Sequence, residues 1–86
     1  MRLRQAPLET NVIKMTPKQS RMARAALQWS LTDLAKAAGV GRATAARFEL
    51  GEAVGPEPIE KLRAALADAG ADFSRKAGRV GVTVPE

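Results

Sequence analysis

Residues 31–52, LTDLAKAAGVGRATAARFELGE, decide the fold of this chain. Apolar residues recur at helical spacing on both sides of the Gly-Val-Gly segment at 39–41, so the stretch predicts two short helices joined by a tight turn. Gly39 suits the left-handed backbone conformation that commonly follows the end of a helix. The residues that we expect to pack between and beneath the two helices are Leu34, Ala35, Ala38, Val40, Ala45 and Phe48.

The outer face of the second predicted helix carries positive charge. Arg42 lies four residues before Ala46, and the same spacing separates Ala43 from Arg47, so these residues form one exposed stripe. Two short helices, a glycine-containing turn and a basic second helix are typical of a helix-turn-helix motif, which places its second helix in the major groove of DNA. Arginine can bind guanine O6 and N7, and alanine can contact the thymine methyl group. The expected base contacts are Arg42, Ala43, Ala46 and Arg47. Arg47 could instead pair with Glu49 or with a carboxylate of the following helix.

Basic residues are concentrated in the first part of the chain. Residues 1–50 carry nine Lys and Arg against three Asp and Glu, a net charge of +6, whereas residues 51–86 carry five against six. This asymmetry favours a polyanionic partner, and nucleic acid fits better than a membrane because no basic stretch has a broad aromatic or leucine face. The side chains that could contact phosphate, or be ordinary surface charge, are Lys18, Arg21, Arg24 and Lys36. Arg2 and Arg4 could enter a minor groove or make no contact.

A helix is predicted before the motif. Residues 16–19, TPKQ, are typical of a helix start, because Thr16 can cap the first turn and Gln19 can reach back to it. The helix should run to about Leu27, and Trp29 should close the core beneath it. The apolar stripe that we expect to be buried consists of Met22, Ala25, Ala26 and Leu27.

The motif itself begins and ends with recognisable signals. Ser30 and Asp33 predict a second capping box at its start. After it, Gly51 and two prolines predict a loop over residues 51–58. A fourth amphipathic helix should follow, with the apolar residues Ile59, Leu62, Ala65, Leu66 and Ala69.

The last residues change from helical spacing to strand alternation. The alternating residues are Val80, Val82 and Val84. Phe73 can begin a partner strand, with a turn over residues 76–79. A lone hairpin is only marginally stable in water, so these valines need a covering surface. A second copy of the chain would supply it, which would make the three valines dimerisation residues. The alternatives are packing on the chain's own helices or pairing with the Val-Ile pair at 12–13.

The motif residues, preceded by ARAALQWS at 23–30 and followed by PIEKLRAAL at 58–66, resemble the phage-repressor and Cro-like (XRE) family of DNA-binding proteins. The resemblance covers about residues 16–70. It implies a mainly α fold: a compact, lambda-repressor-like domain of four helices, here with a short C-terminal strand or hairpin. It also implies that the first motif helix lies across the DNA backbone while the second reads bases. The residues that it implies to lie near phosphates are Ser30, Lys36 and Thr44.

Three residues depart from the family pattern. Leu31 stands where the family commonly has Gln, which removes a usual phosphate or base contact; it could cover a neighbouring side chain or make an apolar contact to DNA or a partner. Gly41 replaces a frequent Ser or Thr cap, which should weaken the second motif helix slightly. Ala45 replaces a typical Ile or Val and is a smaller core residue.

The composition excludes several classes of protein. The 86 residues include no Cys and no His, so a disulfide framework, a thiol nucleophile, a histidine-based triad and a soft-metal site are excluded. We expect no catalytic activity, cofactor, metal, small-molecule ligand or membrane association. We expect a cytoplasmic protein because Cys is absent and the first residues, MRLRQAP, lack the apolar stretch of a signal peptide. Translation could begin at Met1 or at Met15.

These features predict three parts and one main function. The parts are a flexible arm at 1–15, an XRE-type helix-turn-helix domain at 16–70 and a strand or hairpin tail at 71–86. We expect a sequence-specific DNA-binding transcriptional regulator, a repressor or dual regulator, that binds a palindromic operator near its own promoter as a homodimer. The alternative is an antitoxin or adaptor whose main role is to bind a partner protein. The expected contacts to the DNA backbone are Ser30, Lys36, Thr44, Lys18 and Arg21.

Overall fold

The computed structural model describes residues 14–86. Within these residues, four helices are followed by a two-stranded antiparallel hairpin, which confirms the predicted fold class. The helices are α1 (Pro17–Leu27), α2 (Leu31–Ala38), α3 (Arg42–Glu49) and α4 (Pro56–Asp68), and the strands are β1 (Asp72–Lys76) and β2 (Arg79–Thr83). Most of the predicted arm, with Arg2, Arg4 and the pair at 12–13, lies outside the described residues. Met15, at the end of that arm, is buried in the core at 3% exposure.

Both predicted capping boxes are confirmed. The Thr16 hydroxyl accepts from the Gln19 N–H while Gln19 Oε1 accepts from the Thr16 N–H, at 3.2 and 3.0 Å. At the start of α2, Ser30 and Asp33 make the same reciprocal pair, with both distances 2.9 Å. Each box satisfies backbone donors that the first turn of a helix leaves unpaired, which explains why α1 and α2 begin where they do.

The core forms where the helices meet. Leu34 of α2 and Leu62 and Leu66 of α4 are fully buried. The predicted inward-facing residues of the motif are confirmed: Leu34, Ala35, Ala45 and Phe48 are buried, and Ala38 and Val40 are half-buried against them. Trp29 is also half-buried against this core. Burial of these side chains supplies the main force that holds α2 and α3 in place.

The prediction for α1 was wrong about which face is buried. Met22 is 41% exposed and Ala25 and Ala26 are also exposed. The buried residues of α1 are instead Gln19, Ser20 and Ala23, with Leu27 half-buried. Two of them are polar, and burial of a polar side chain is tolerated only when its hydrogen bonds are satisfied. The partners that satisfy them come from distant parts of the chain and are described below.

The prediction for the start of α4 was also wrong. The helix begins at Pro56, so the loop after α3 is shorter than residues 51–58. Pro56 and Pro58 both lie in the first turn, where backbone N–H groups have no intrahelical acceptor. Proline, which lacks an N–H, therefore costs little there and presets the helical φ angle.

The C-terminal hairpin folds on the chain's own helices, which was one of the predicted alternatives. Its register pairs Phe73 with Val82 and Ser74 with Gly81. The two-residue turn, 77–78, has positive φ at both positions, +52° and +77°, as in type I′ hairpin turns. Gln19 Nε2 donates to the carbonyl oxygens of Ser74 and Gly81 at 2.9 and 3.1 Å, so α1 binds both strands. Phe73, Val82 and Val84 pack against the helical core.

Candidate nucleic-acid interface

A glycine turn sets the relation between α2 and α3. Gly39 has φ +71°, the left-handed conformation predicted for it. Its N–H donates to the Lys36 carbonyl at 3.3 Å, and the Val40 N–H donates to the Ala35 carbonyl at 3.1 Å. This pair of bonds is a Schellman motif, which satisfies the last carbonyls of α2 and reverses the chain within a few residues. The following helix therefore starts at a defined position beside α2.

The exposed side of α3 carries two unpaired arginines. The buried residues of this helix are Ala45, Phe48 and Glu49. In the stripe predicted to contact bases, Arg42, Ala43 and Arg47 are exposed and Ala46 is half-buried. The ion pairs within residues 14–86 involve neither Arg42 nor Arg47. Within the described residues, Arg47 therefore pairs neither with Glu49 nor with a carboxylate of α4.

Glu49, at the end of α3, is bound by two side chains of α1. The Ser20 hydroxyl donates to Glu49 Oε2 at 2.6 Å. The Arg24 guanidinium donates through Nε and Nη2 to the two carboxylate oxygens of Glu49, at 2.9 and 2.7 Å. Only 7% of the Glu49 side chain and 22% of the Arg24 side chain are exposed. The hydrogen bond to Glu49 raises the pKa of Arg24 above its usual value. This cluster, Ser20–Arg24–Glu49, anchors the last turn of α3 on α1.

Two further arginine contacts join α1 to its neighbours. Arg24 Nη1 also donates to the Trp29 carbonyl at 3.2 Å, which holds the link between α1 and α2. The Arg21 guanidinium donates to the backbone carbonyl of Glu49. Arg24, for which the sequence leaves phosphate contact and ordinary surface charge open, is half-buried and donates to Glu49 and to the Trp29 carbonyl. The prediction that Glu49 is an intramolecular partner is consistent with this arrangement.

Comparison with known families decides what this arrangement is. Residues 21–67, just over half of the 86-residue chain, match the helix-turn-helix family of the Cro and repressor type. The chain belongs to this XRE-like family. It is therefore a DNA-binding transcription regulator in general terms, from a family that is regulatory rather than enzymatic. A search of curated proteins found no match to the chain.

Two departures from the XRE pattern have visible structural consequences. Leu31, in place of the common Gln, is half-buried against the core, which favours the prediction that it covers neighbouring side chains. Gly41 precedes α3 and makes no side-chain cap. Glycine in place of Ser or Thr at this position costs a helix only about a few tenths of a kcal/mol, so the packing of Ala45 and Phe48 is sufficient to hold α3.

The other residues expected near DNA lie on three helices. Lys18 and Arg21 are on α1, and both are exposed. Lys36 is exposed at the end of α2, and the half-buried Thr44 is on α3. Ser30 caps α2 and is exposed, but its hydroxyl already accepts from the Asp33 N–H. This capping bond leaves the Ser30 hydroxyl proton free to donate.

One residue near the XRE recognition surface was missed by sequence reasoning. Thr32, at the second position of α2, accepts a hydrogen bond from Arg42 Nε at 3.1 Å. No spacing rule links a threonine to an arginine ten residues later, because the contact depends on the turn that folds α3 back beside α2.

No helix of the described residues is long and apolar enough to cross a bilayer.

Proposed function

We propose that this regulator recognises a specific DNA sequence by placing α3 in the major groove. The supporting observation is that Arg42 and Arg47 are exposed and unpaired on one side of a helix whose other side is fixed in the core. A rigidly held helix whose guanidinium groups are in no ion pair can donate to base edges without first breaking internal ion pairs. Arg42 is the first residue of α3, the end that helix-turn-helix proteins direct towards bases.

The remaining contacts divide into base and backbone groups. Ala43 and Ala46 would allow close approach of α3 and contact thymine methyl groups, while Arg42 and Arg47 donate to guanine. The proposed backbone contacts are Ser30, Lys36, Thr44, Lys18 and Arg21. Arg21 would have to contact phosphate with the donors that its bond to the Glu49 carbonyl leaves free.

Anisotropy of labelled duplexes tests this function. One duplex comes from the region upstream of the protein's own coding sequence, and the control is the same duplex scrambled. We expect a preference of about a thousandfold or more for the upstream duplex. Binding to both duplexes should weaken steeply between about 50 and about 200 mM salt, because phosphate contacts release counterions. Equal, weak binding that salt abolishes for both duplexes would contradict sequence-specific regulation.

We propose that the regulator acts as a homodimer on a palindromic operator, as a repressor or dual regulator in the cytoplasm. Two copies would place their recognition helices about 34 Å apart on successive turns of one DNA face. The hairpin is the proposed contact, with Val80, Val82 and Val84. Val82 and Val84 also pack on the chain's own core, so Val80, which is half-buried outside that cluster, is the most available of the three.

Sedimentation of Val80→Lys tests the hairpin contact. This change leaves Val82 and Val84 in the core and adds charge only at the proposed interface. We expect wild type to sediment as a dimer and the variant as a monomer that retains the wild-type circular dichroism spectrum. A variant that remains a dimer would overturn this route to dimerisation.

One observation favours the alternative role of an antitoxin or adaptor. Met22 and Leu50 are the exposed large apolar residues of the described part of the chain, at 41% and 74%, and both line an open groove between α1 and the hairpin turn. Exposed apolar residues grouped in a groove can bind a partner protein. Co-expression with the product of an adjacent small gene tests this role. A stable complex that Leu50→Glu abolishes would support it, and no complex would contradict it.

A further inference from the structure

The exposed face of α3 is tied to α2 by one side-chain hydrogen bond. Arg42 Nε donates to Thr32 Oγ1 at 3.1 Å. Both residues are exposed, and the bond joins the first residue of α3 to the second residue of α2. Among the hydrogen bonds of residues 14–86, it is the one that links an arginine of the proposed base-reading stripe to another helix.

This bond leaves a particular set of donors on Arg42. A guanidinium carries five N–H groups, one on Nε and four on the two terminal nitrogens. With Nε bound to Thr32, the terminal nitrogens remain free, and they form the pair of parallel donors that can match guanine O6 and N7. The hydroxyl therefore selects which edge of the guanidinium faces outward.

Thr32 is suited to hold Arg42 still. Its hydroxyl is not needed to cap α2, because Ser30 and Asp33 already form that capping box. Threonine is branched at Cβ, which restricts its side chain to few rotamers, so the accepting oxygen has a defined position. A long arginine side chain that is ordered before binding loses less conformational freedom when it reaches a base.

The neighbouring residue cannot do this. Leu31 has no hydrogen-bonding group in its side chain and is half-buried against the core. Thr32 is thus the residue at the start of α2 that supplies a polar side-chain contact to α3.

We infer that Thr32 is a positioning residue for DNA sequence recognition: it orients Arg42 and thereby sets the discrimination at one base pair. This inference rests on the proposed function of sequence-specific binding. It concerns specificity rather than overall affinity, since the bond is made within the protein and adds no contact to phosphate.

The test begins with duplexes selected by the wild-type chain from a random-sequence pool. Binding of the selected duplex and of its single-base-pair variants is then measured for Thr32→Val, which removes the hydroxyl and keeps the shape, and for Thr32→Ser, which keeps the hydroxyl. We expect Thr32→Val to lose about three- to tenfold of the preference at one base pair, the range of one hydrogen bond. Thr32→Ser should retain most of it, and Thr83→Val, an exposed threonine of β2, should retain all of it.

A double-mutant comparison separates orientation of Arg42 from other roles of Thr32. In an Arg42→Ala background, Thr32→Val should change no base preference, because the side chain that it orients is gone. Equal weakening on every duplex, or a specificity loss that persists in the Arg42→Ala background, would overturn the inference while leaving sequence-specific binding intact. If the wild-type chain selects no preferred sequence at all, the proposed function fails, and the inference fails with it.

Discussion

Arg24 on α1 and Arg42 on α3 carry the same charge but have very different surroundings. Arg24 donates hydrogen bonds to both carboxylate oxygens of Glu49, and most of the Arg24 side chain is buried. Arg42 is exposed and hydrogen-bonds only to the neutral hydroxyl of Thr32 within the described residues. The first arginine holds α3 in place, and the second is free to contact a polyanion. Net charge alone could not separate these roles, because only the folded chain shows which cations already have a partner.

The largest expected effect comes from breaking the buried pair. Glu49→Gln should lower the free energy of unfolding by about 2–4 kcal/mol, because it leaves the half-buried Arg24 without its carboxylate. Urea unfolding followed by circular dichroism measures this. Glu52→Gln, at an exposed position just beyond α3, is the matched control and should stay within about 0.5 kcal/mol of wild type. Equal effects of the two variants would mean that the buried pair contributes nothing to stability.

A second buried polar residue of α1 extends the same comparison to the hairpin. Gln19→Glu keeps an oxygen that can cap Thr16 but replaces the amide donor with an oxygen that faces the Ser74 and Gly81 carbonyls. Leaving these acceptors unsatisfied should cost about 1–3 kcal/mol. Relative to wild type, amide hydrogen exchange in the variant should accelerate more in β1 and β2 than in α2 and α3. Unchanged protection of the strands would contradict the role given to the Gln19 amide.

The distance along the chain between a residue and its partners decides which features the sequence could predict. Capping boxes, the Gly39 turn, the inward residues of α2 and α3 and the hairpin depend on neighbours within a few residues, and the structure has them. The prediction of the buried face of α1 was wrong because the hydrogen-bond partners of its buried polar residues lie far along the chain. Gln19 bonds to a strand residue 55 positions later, and Ser20 bonds to Glu49, 29 positions later. Apolar spacing cannot detect a polar residue whose partner lies so far along the chain.

Arginine substitutions on the two helices should affect different properties: DNA binding for Arg47 on α3 and stability for Arg24 on α1. Arg47→Ala should leave the free energy of unfolding within about 0.5 kcal/mol of wild type, because Arg47 is exposed and unpaired. It should also weaken binding to the preferred duplex by about 1–3 kcal/mol. Arg24→Ala should destabilise the fold by about 2–4 kcal/mol, since Glu49 would remain buried without its cation. Unfolding and anisotropy measurements on both variants check this, and a stability loss for Arg47→Ala as large as for Arg24→Ala would remove the distinction.

The smallest expected effect lies at the exposed cap of α2. The backbone N–H of Ser30 hydrogen-bonds the Asp33 carboxylate and lowers the pKa of that group below its usual value. The ionised form is thus favoured in the folded state. The contribution of the Asp33 carboxylate to the free energy of unfolding is therefore present above about pH 4 and is lost as the pH falls through the lowered pKa. Asp33→Asn, which can cap without charge, should lose less stability than wild type between about pH 5 and about pH 3. Equal acid sensitivity in urea unfolding would contradict this.

The most direct test of the central claim is to map where DNA touches the chain. Amide chemical shifts of the labelled protein are followed by NMR during titration with the preferred duplex. We expect the largest changes in residues 42–47 of α3, with smaller ones at the start of α2 around Ser30 and Thr32. The amides of α4 should change least. Largest changes in α4, or around Leu50 and the hairpin turn, would contradict the claim that the unpaired arginines of α3 form the DNA-reading surface.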